Sequence, residues 1–217
     1  MLKVYVINLE HHVERRQKII NQFKQLGIKD VEIIKGVDGK KINKSKYNND
    51  PKKTYEFISR PLSSTEIGCT LSHITVYKDI IKKNIDLAIV LEDDVIITDL
   101  LMHKYDIEDS DVVLIGSTAA TETNEGHKLY DIGLWGTISG SYAYIITNAG
   151  AIKMVNYFQE INHPIDSWNI LRRHGIIIKK MIPSSVYVDH TSKSYIEEDR
   201  ILAKSQSSDF KKSIFKK

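Results

Sequence analysis

Three consecutive carboxylates, Glu92, Asp93 and Asp94, follow the apolar run Leu87 to Leu91. Held that close at the end of a buried strand, they repel one another and lose part of their hydration, which raises the cost of ionising all three. A hard divalent cation with oxygen ligands, Mn²⁺ or Mg²⁺, removes that cost. Strand alternation puts Glu92 and Asp94 on one side and Asp93 on the other. One side then suits a metal and the other a ribose hydroxyl. By themselves the three residues also read as a solvated acidic turn.

Two further segments carry chemistry. In INLEHHVERR a strand runs into a helix whose first turns hold Arg15 and Arg16, placed where a nucleotide's base or diphosphate would lie. The guanidinium fork suits phosphate and planar groups; a plain charged helix face is the alternative. In STEIGCTLSHITVY, Glu66 and His73 lie two helical turns apart on one face. Ile67, Leu71 and Ile74 make the buried stripe, and Glu66, Ser72 and His73 form a polar strip that suits a site lining or an ordinary exposed face.

The elements that position these residues follow from periodicity. Leu2 to Leu9 reads as a buried strand, Val13 to Leu26 as a helix stopped by Gly27, and Val31 to Ile34 as a strand. GVDGKKINKSKYNNDPKK reads as a long irregular excursion. A helix starts near Ser64 or Thr65, Leu87 to Leu91 is a central strand buried on both faces, and Asp111 to Ile115 repeats that pattern. Tyr142 to Ile146 is a strand, followed by a helix from Asn148 to Tyr157 or Phe158, a short helix after Asp166 closed by Gly175, and strands at Ile176 to Met181 and Val186 to Val188. Strands alternating with helices give an α/β fold with a mostly parallel sheet flanked by helices. Ligands in such sheets bind at the carboxyl ends of the strands, which points to Glu92-Asp93-Asp94.

With 217 residues, 41% of them hydrophobic and 27% charged, the composition is that of one globular domain over 1–217. The single cysteine, Cys69, permits no intrachain disulfide and fits a reducing compartment. No window approaches the ~20 apolar residues of a membrane span, and the amino terminus lacks the features of a signal peptide, so a cytoplasmic protein is expected. The net charge of +3 gives no argument for nucleic acid. The final DFKKSIFKK, lysines around apolar residues, reads either as a frayed end or as a peripheral contact with an anionic inner membrane.

Taken in order, INL…ERR, GVDGK, STEIGCTLSH, LAIVLEDDV, SGSYAYIITNAGA and HPIDSW resemble glycosyltransferase family 25, the lipooligosaccharide galactosyltransferases and their collagen galactosyltransferase relatives. The pairing of E-I-G-C-x-L-S-H with L-E-D-D carries most of the specificity. The resemblance implies a glycosyltransferase-A-like fold with a Rossmann-like nucleotide half, a UDP-sugar donor that is usually UDP-galactose, a lipooligosaccharide acceptor and inversion at the sugar carbon. It implies a nucleotide-sugar half over about 1–115, an acceptor half over about 116–200 and a basic tail over 201–217. Glu92, Asp93 and Asp94 take the place of the family's metal-binding acidic motif, with Asp94 and Asp93 as ligands to Mn²⁺ or Mg²⁺. Ile7, Asn8, Leu9, Arg15 and Arg16 fall in its nucleotide segment, and Asp38, Glu66, Ser72 and His73 in its other motifs.

The chain departs from the family pattern in holding His11 and His12 where an arginine is frequent, and in its short carboxyl end. His190 of VYVDHTSKS is a candidate further metal ligand, with Asp189 competing. An inverting displacement needs a carboxylate base on the acceptor side. Asp166 of HPIDSW is the candidate, a helix N-cap is its other reading, and Asp131 is the next choice. Trp135, Tyr142, Tyr144 and Trp168 read as sugar-stacking or core aromatics. Two other functions stay open: a metal-dependent phosphohydrolase or phosphotransferase, which would lack a phosphate-cradling glycine loop here, and a receiver-like or nucleotide-binding module without catalysis.

Overall fold

The computed structural model of the chain describes residues 2–48, 50–98, 107, 109–117, 128–132, 140–191 and 196–215. It opens with β1 (Lys3–Asn8), α1 (Val13–Gln25) and β2 (Val31–Lys35). Gly27, at φ 68°, turns the chain out of α1, a conformation that costs glycine nothing. The segment expected to be irregular contains 3-10 turns at Gly39–Lys41 and Lys44–Lys46, and then α2 (Pro51–Ile58). That helix is capped by Asp50, which accepts from the Lys53 amide, and has proline in its first turn. Next comes α3 (Ser64–Lys82), capped by Ser63 in a reciprocal box with Glu66.

Beyond α3 the order is β3 (Leu87–Glu92), β4 (Val95–Ile97), β5 (Val112–Leu114), β6 (Gly116–Ser117), β7 (Lys128–Asp131), β8 (Ala143–Thr147), α4 (Asn148–Tyr157), α5 (Trp168–Arg173), β9 (Ile178–Ile182), β10 (Val186–Val188), α6 (Glu197–Ser205) and α7 (Ser207–Phe215). Seven strands form one sheet in the order β2-β1-β3-β8-β5-β9-β7. Five run one way, and β8 and β7 oppose them, so the expected α/β class holds with a mixed, mostly co-directional sheet. A second sheet has three strands in the order β4-β10-β6.

Alternation along the central strands explains their unbroken apolar runs. Tyr5, Ala88, Val90, Val112, Tyr144 and Ile146 pack on one face, with α3 and α4. Val4, Val6, Ile89, Leu91, Val113 and Ile145 pack on the other, with Ile19 and Phe23 of α1. Glu92, two residues beyond Val90, inherits the α3 face; Asn8, two beyond Val6, inherits the α1 face.

The carboxyl-terminal segment is helical through α7. The rings of Phe210 and Phe215 lie 6.3 and 5.7 Å from Tyr55 of α2, so its apolar residues are engaged by the body of the protein. Among the described residues no helix is long and apolar enough to cross a membrane. Trp135 lies outside the described residues. Tyr144 and Trp168 are fully buried, which makes them core and removes them as sugar-stacking surfaces.

Candidate functional site

The carboxyl ends of β1 and β3 open into a cavity of about 110 Å³. Ile7, Leu9, His12 and Arg15 line it from the amino-terminal unit, Asp38 and Gly39 from the loop after β2, and Ser72 and His73 from α3; Glu92, Asp93 and Asp94 form its floor. The loop is held tightly to the helix. Ser72 Oγ accepts the Val37 amide at 2.8 Å and donates to the Gly68 carbonyl at 2.7 Å. A Cβ on Gly39 would lie 2.3 Å from the Ser64 carbonyl oxygen, and one on Gly68 would lie 2.7 Å from Gly39 Cα. Both glycines are there because two backbones touch. Asp38 caps the following 3-10 turn by accepting from the Lys40 amide.

Asp93 turns toward the amino-terminal unit. It accepts from Asn8 Nδ2 at 2.6 Å and from Arg15 Nη1 at 3.1 Å, with His12 Nδ1 at 3.5 Å. Arg15 also reaches Asp94 at 3.3 Å, and Arg16 braces the arrangement from behind by donating to Asn8 Oδ1 at 3.2 Å. Asp94 is less well compensated. Burial, with the Glu92 carboxylate adding to it, pushes its carboxyl up to about 7.

Glu92 stands on a buried relay. Its Oε1 accepts from Ser141 Oγ at 2.7 Å and lies 3.3 Å from His73 Nε2. His73 Nδ1 is 2.7 Å from the Tyr144 hydroxyl, which is 2.7 Å from that of Tyr77. Burial works to raise the Glu92 carboxyl, but the hydrogen bond and charge of His73 and the bond from Ser141 hold it below its ordinary value. His73 is fully buried against solvent, yet it lines the smaller cavity beside Glu92. The ligand atoms of Cys69, His73 and Glu92 all lie within 4.8 Å of one another, a grouping able to hold a metal ion.

A second cavity, about 370 Å³, shares Cys69, Glu92, Asp94 and Ile196 with the first. Its other walls include Gly140 to Tyr142, Asp166, His190 and Arg200. The Asp189 amide donates to the Asp94 carbonyl at 2.7 Å, because β10 pairs with β4 and so ends beside the acidic turn, bringing His190 into a cavity with Asp94. Asp166 does not cap α5: the N-cap is Ser167, with no side-chain cap bond. Its Oδ2 accepts from the Gly140 amide at 3.2 Å and Arg200 at 3.4 Å.

Arg200, on α6, also donates to Glu66 at 3.0 Å, while Arg60 holds Glu66 at 2.8 and 2.7 Å. Burial would raise the Glu66 carboxyl, yet Arg60, the Ser63 amide and Arg200 together lower it.

Of the residues expected on the donor side, Ile7, Leu9, Arg15, Asp38, Ser72, His73, Glu92 and Asp93 meet at the smaller cavity. Asn8 and Arg16 stand behind its wall, and Glu66 lines the larger cavity instead. Asp131 is exposed on the edge strand β7 and lines neither cavity. Arg60, Cys69, Ser141 and Arg200 were not singled out beforehand. Cys69 and His73 stand four apart on α3, a spacing legible in the sequence; Arg200 is 134 residues from Glu66 and gives no local signal.

A sequence profile for glycosyltransferase family 25 (LPS biosynthesis protein) matches residues 1–125. A glycosyltransferase 25 family member of Aedes aegypti is 27% identical over 220 residues, covering 86% of this chain and 36% of its own length. Procollagen galactosyltransferase 2 of Mus musculus is 36% identical over 98 residues, covering 43% of this chain and 16% of its own length. The chain thus spans well under two thirds of these relatives. A solved Bacillus anthracis structure, described as a glucose-1-phosphate thymidylyltransferase, superposes on 94% of this chain and 95% of its own at a TM-score of 0.42 and 14% identity, a likeness too distant to inform the chemistry.

Proposed function

The chain belongs to glycosyltransferase family 25, and on that premise we propose that it moves a hexose from a UDP-sugar to a hydroxyl of a lipooligosaccharide or lipopolysaccharide acceptor, with inversion at the anomeric carbon. The observation that carries this reading is the meeting of two cavities at Glu92 and Asp94, with the carboxylate of Asp166 across the larger one. Direct displacement needs that layout: a donor held on one side, an acceptor on the other, and a base beside the acceptor. Galactose is the default hexose, from the names of the procollagen galactosyltransferases. In this reading the protein works in the cytoplasm, with Lys211 and Lys212 of α7 available to an anionic membrane surface.

On the donor side, Asp93 is the carboxylate for a ribose hydroxyl, and Arg15, between Asp93 and Asp94, is the cation nearest to a diphosphate. Asp94, with Glu92 and His190, would hold Mn²⁺ or Mg²⁺. The fit rests on Asp94 itself, a buried carboxyl pushed up to about 7 beside another carboxylate, which a divalent cation would relieve. When bound, such an ion offsets charge on the departing diphosphate. On the acceptor side Asp166, oriented by the Gly140 amide and Arg200, takes the proton from the incoming hydroxyl.

The test is a panel of UDP-galactose, UDP-glucose and UDP-N-acetylglucosamine, assayed with Mn²⁺ for binding and for slow release of UDP to water. One of the three is expected to bind at micromolar to millimolar strength, the usual range for substrates. Binding of a nucleoside triphosphate, with none of the three sugars bound, would replace this reading by phosphotransfer.

A further inference from the structure

We propose that Cys69, His73 and Glu92 form a second metal site, one for a thiophilic ion such as Zn²⁺, different in chemistry from the hard-cation position at Asp94. Cys69 and His73 lie one turn apart on α3 and so share a face. The parity of β3 turns Glu92 toward that face, and the three ligand atoms fall within 4.8 Å of one another. A sulfur, an imidazole nitrogen and a carboxylate oxygen, with a fourth position left to water, make a zinc donor set. Thiolate has little to offer Mg²⁺ or Mn²⁺, so the set itself selects the softer ion.

Two of the ligands are already oriented from behind, as metal ligands are in built sites. Tyr144 holds His73 Nδ1 at 2.7 Å and leaves Nε2 facing the site; Ser141 holds Glu92 at 2.7 Å. The Tyr144 and Tyr77 hydroxyls, 2.7 Å apart, can donate in either direction. Nδ1 can therefore carry the imidazole proton while Nε2 gives its lone pair to the ion. Binding through Nε2 releases the proton that Nε2 gives to Glu92 in the metal-free protein, together with that of the Cys69 thiol, and both pass to solvent. Access exists as well, since Cys69 and Glu92 line both cavities. Occupancy by Zn²⁺ would commit Glu92, so the same ion should oppose the use of Glu92 by a hard cation.

This site rests on geometry alone and does not need the glycosyltransferase reading, and its test uses no nucleotide and no sugar. The full chain, stripped of metal, is titrated with Zn²⁺ by calorimetry and with Co²⁺ by absorbance, both in excess Mg²⁺. One Zn²⁺ per chain is expected, and Co²⁺ should give a near-ultraviolet thiolate charge-transfer band. Cys69 is the sole cysteine, so such a band can come from no other residue. Cys69→Ser should abolish the band and weaken Zn²⁺ by tenfold or more, roughly the scale on which metal sites respond to lost support, whereas Asp94→Asn should keep both. Absence of Zn²⁺ binding in excess Mg²⁺, a Co²⁺ complex with no thiolate band, or unchanged affinity in Cys69→Ser would each overturn the proposal. If Cys69→Ser fails to fold, the wild-type Co²⁺ band decides the matter.

Discussion

The two cavities that meet at Glu92 and Asp94 are built in opposite ways. The smaller is made almost wholly from residues 7–94, where strand ends, one loop and the first turns of α3 lie close together. Ile196 is its one contribution from outside the segment matched by the family profile. The larger takes its distinctive walls from residues 140–200, contributed by a loop, the end of β10 and a carboxyl-terminal helix. One cavity is local in sequence and stiff, wedged by two glycines in backbone contact; the other is assembled from distant pieces tied by ion pairs. In the proposed reading the first construction holds the donor and the second the acceptor, since sites on loops carried by a fixed scaffold vary most readily.

The largest expected effect lies on the acceptor side. Asp166→Asn should lower sugar transfer by about two to four orders of magnitude while UDP binding and melting temperature stay near wild type. Steady-state turnover alongside calorimetry separates the two cavities; a matching loss of donor binding would mean that they are one site and erase the comparison.

Next in size is the ion-pair group at the wall of the larger cavity. Glu66 is buried against Arg60 and Arg200, and Glu66→Gln leaves those guanidinium groups short of a carboxylate, at a cost of about 3–5 kcal/mol. Its folded carboxyl is held below the ordinary 4.5. The stability it contributes is therefore present above that value and lost as pH falls through the folded one. Urea midpoints measured against pH should show an acid limb in the wild type that is shallower in the variant; equal limbs would remove Glu66 from the account.

A smaller effect belongs to the donor side. Gly39→Ala drives a Cβ into the Ser64 carbonyl at 2.3 Å, where backbone rather than a flexible side chain must yield. A strain of about 1–3 kcal/mol in the folded state should lower the melting temperature, and any part that the loop relieves by shifting Asp38 should appear as weaker UDP binding. An alanine variant with wild-type UDP affinity would show that this loop takes no part in holding the donor.

What could be read from the sequence divides along the same line. LAIVLEDDV announced a buried strand ending in carboxylates. The strand stops at Glu92, so Asp93 and Asp94 lie in the turn beyond it, where Arg15 bonds both; all three line the smaller cavity and only Glu92 and Asp94 also line the larger. The turn signals at Gly27 and Gly175 coincide with positive φ angles. α2 was missed because lysines and asparagines masked an Asp-Pro start that does carry a capping signal. Arg200 and Ser141 had no local signal at all: their roles come from β-strand order and helix docking, which periodicity does not encode. The basic tail read as surface because its charge is on the page, whereas the packing of Phe210 and Phe215 on Tyr55 depends on a partner far away in sequence.

In the proposed reading Asp94 is the carboxylate reserved for a divalent cation. Burial, with the Glu92 carboxylate adding to it, pushes its folded carboxyl up to about 7 from an ordinary 3.8. The metal-free protein therefore holds an extra proton across that window and loses stability as pH rises through it. Calorimetry of UDP with Mn²⁺ on wild type and Asp94→Asn, paired with metal-free melting at neutral pH, tests this directly. Asp94→Asn is expected to lose Mn²⁺-dependent UDP binding yet to melt at a higher temperature than the wild type without metal. A variant that binds UDP in Mn²⁺ as the wild type does would contradict it.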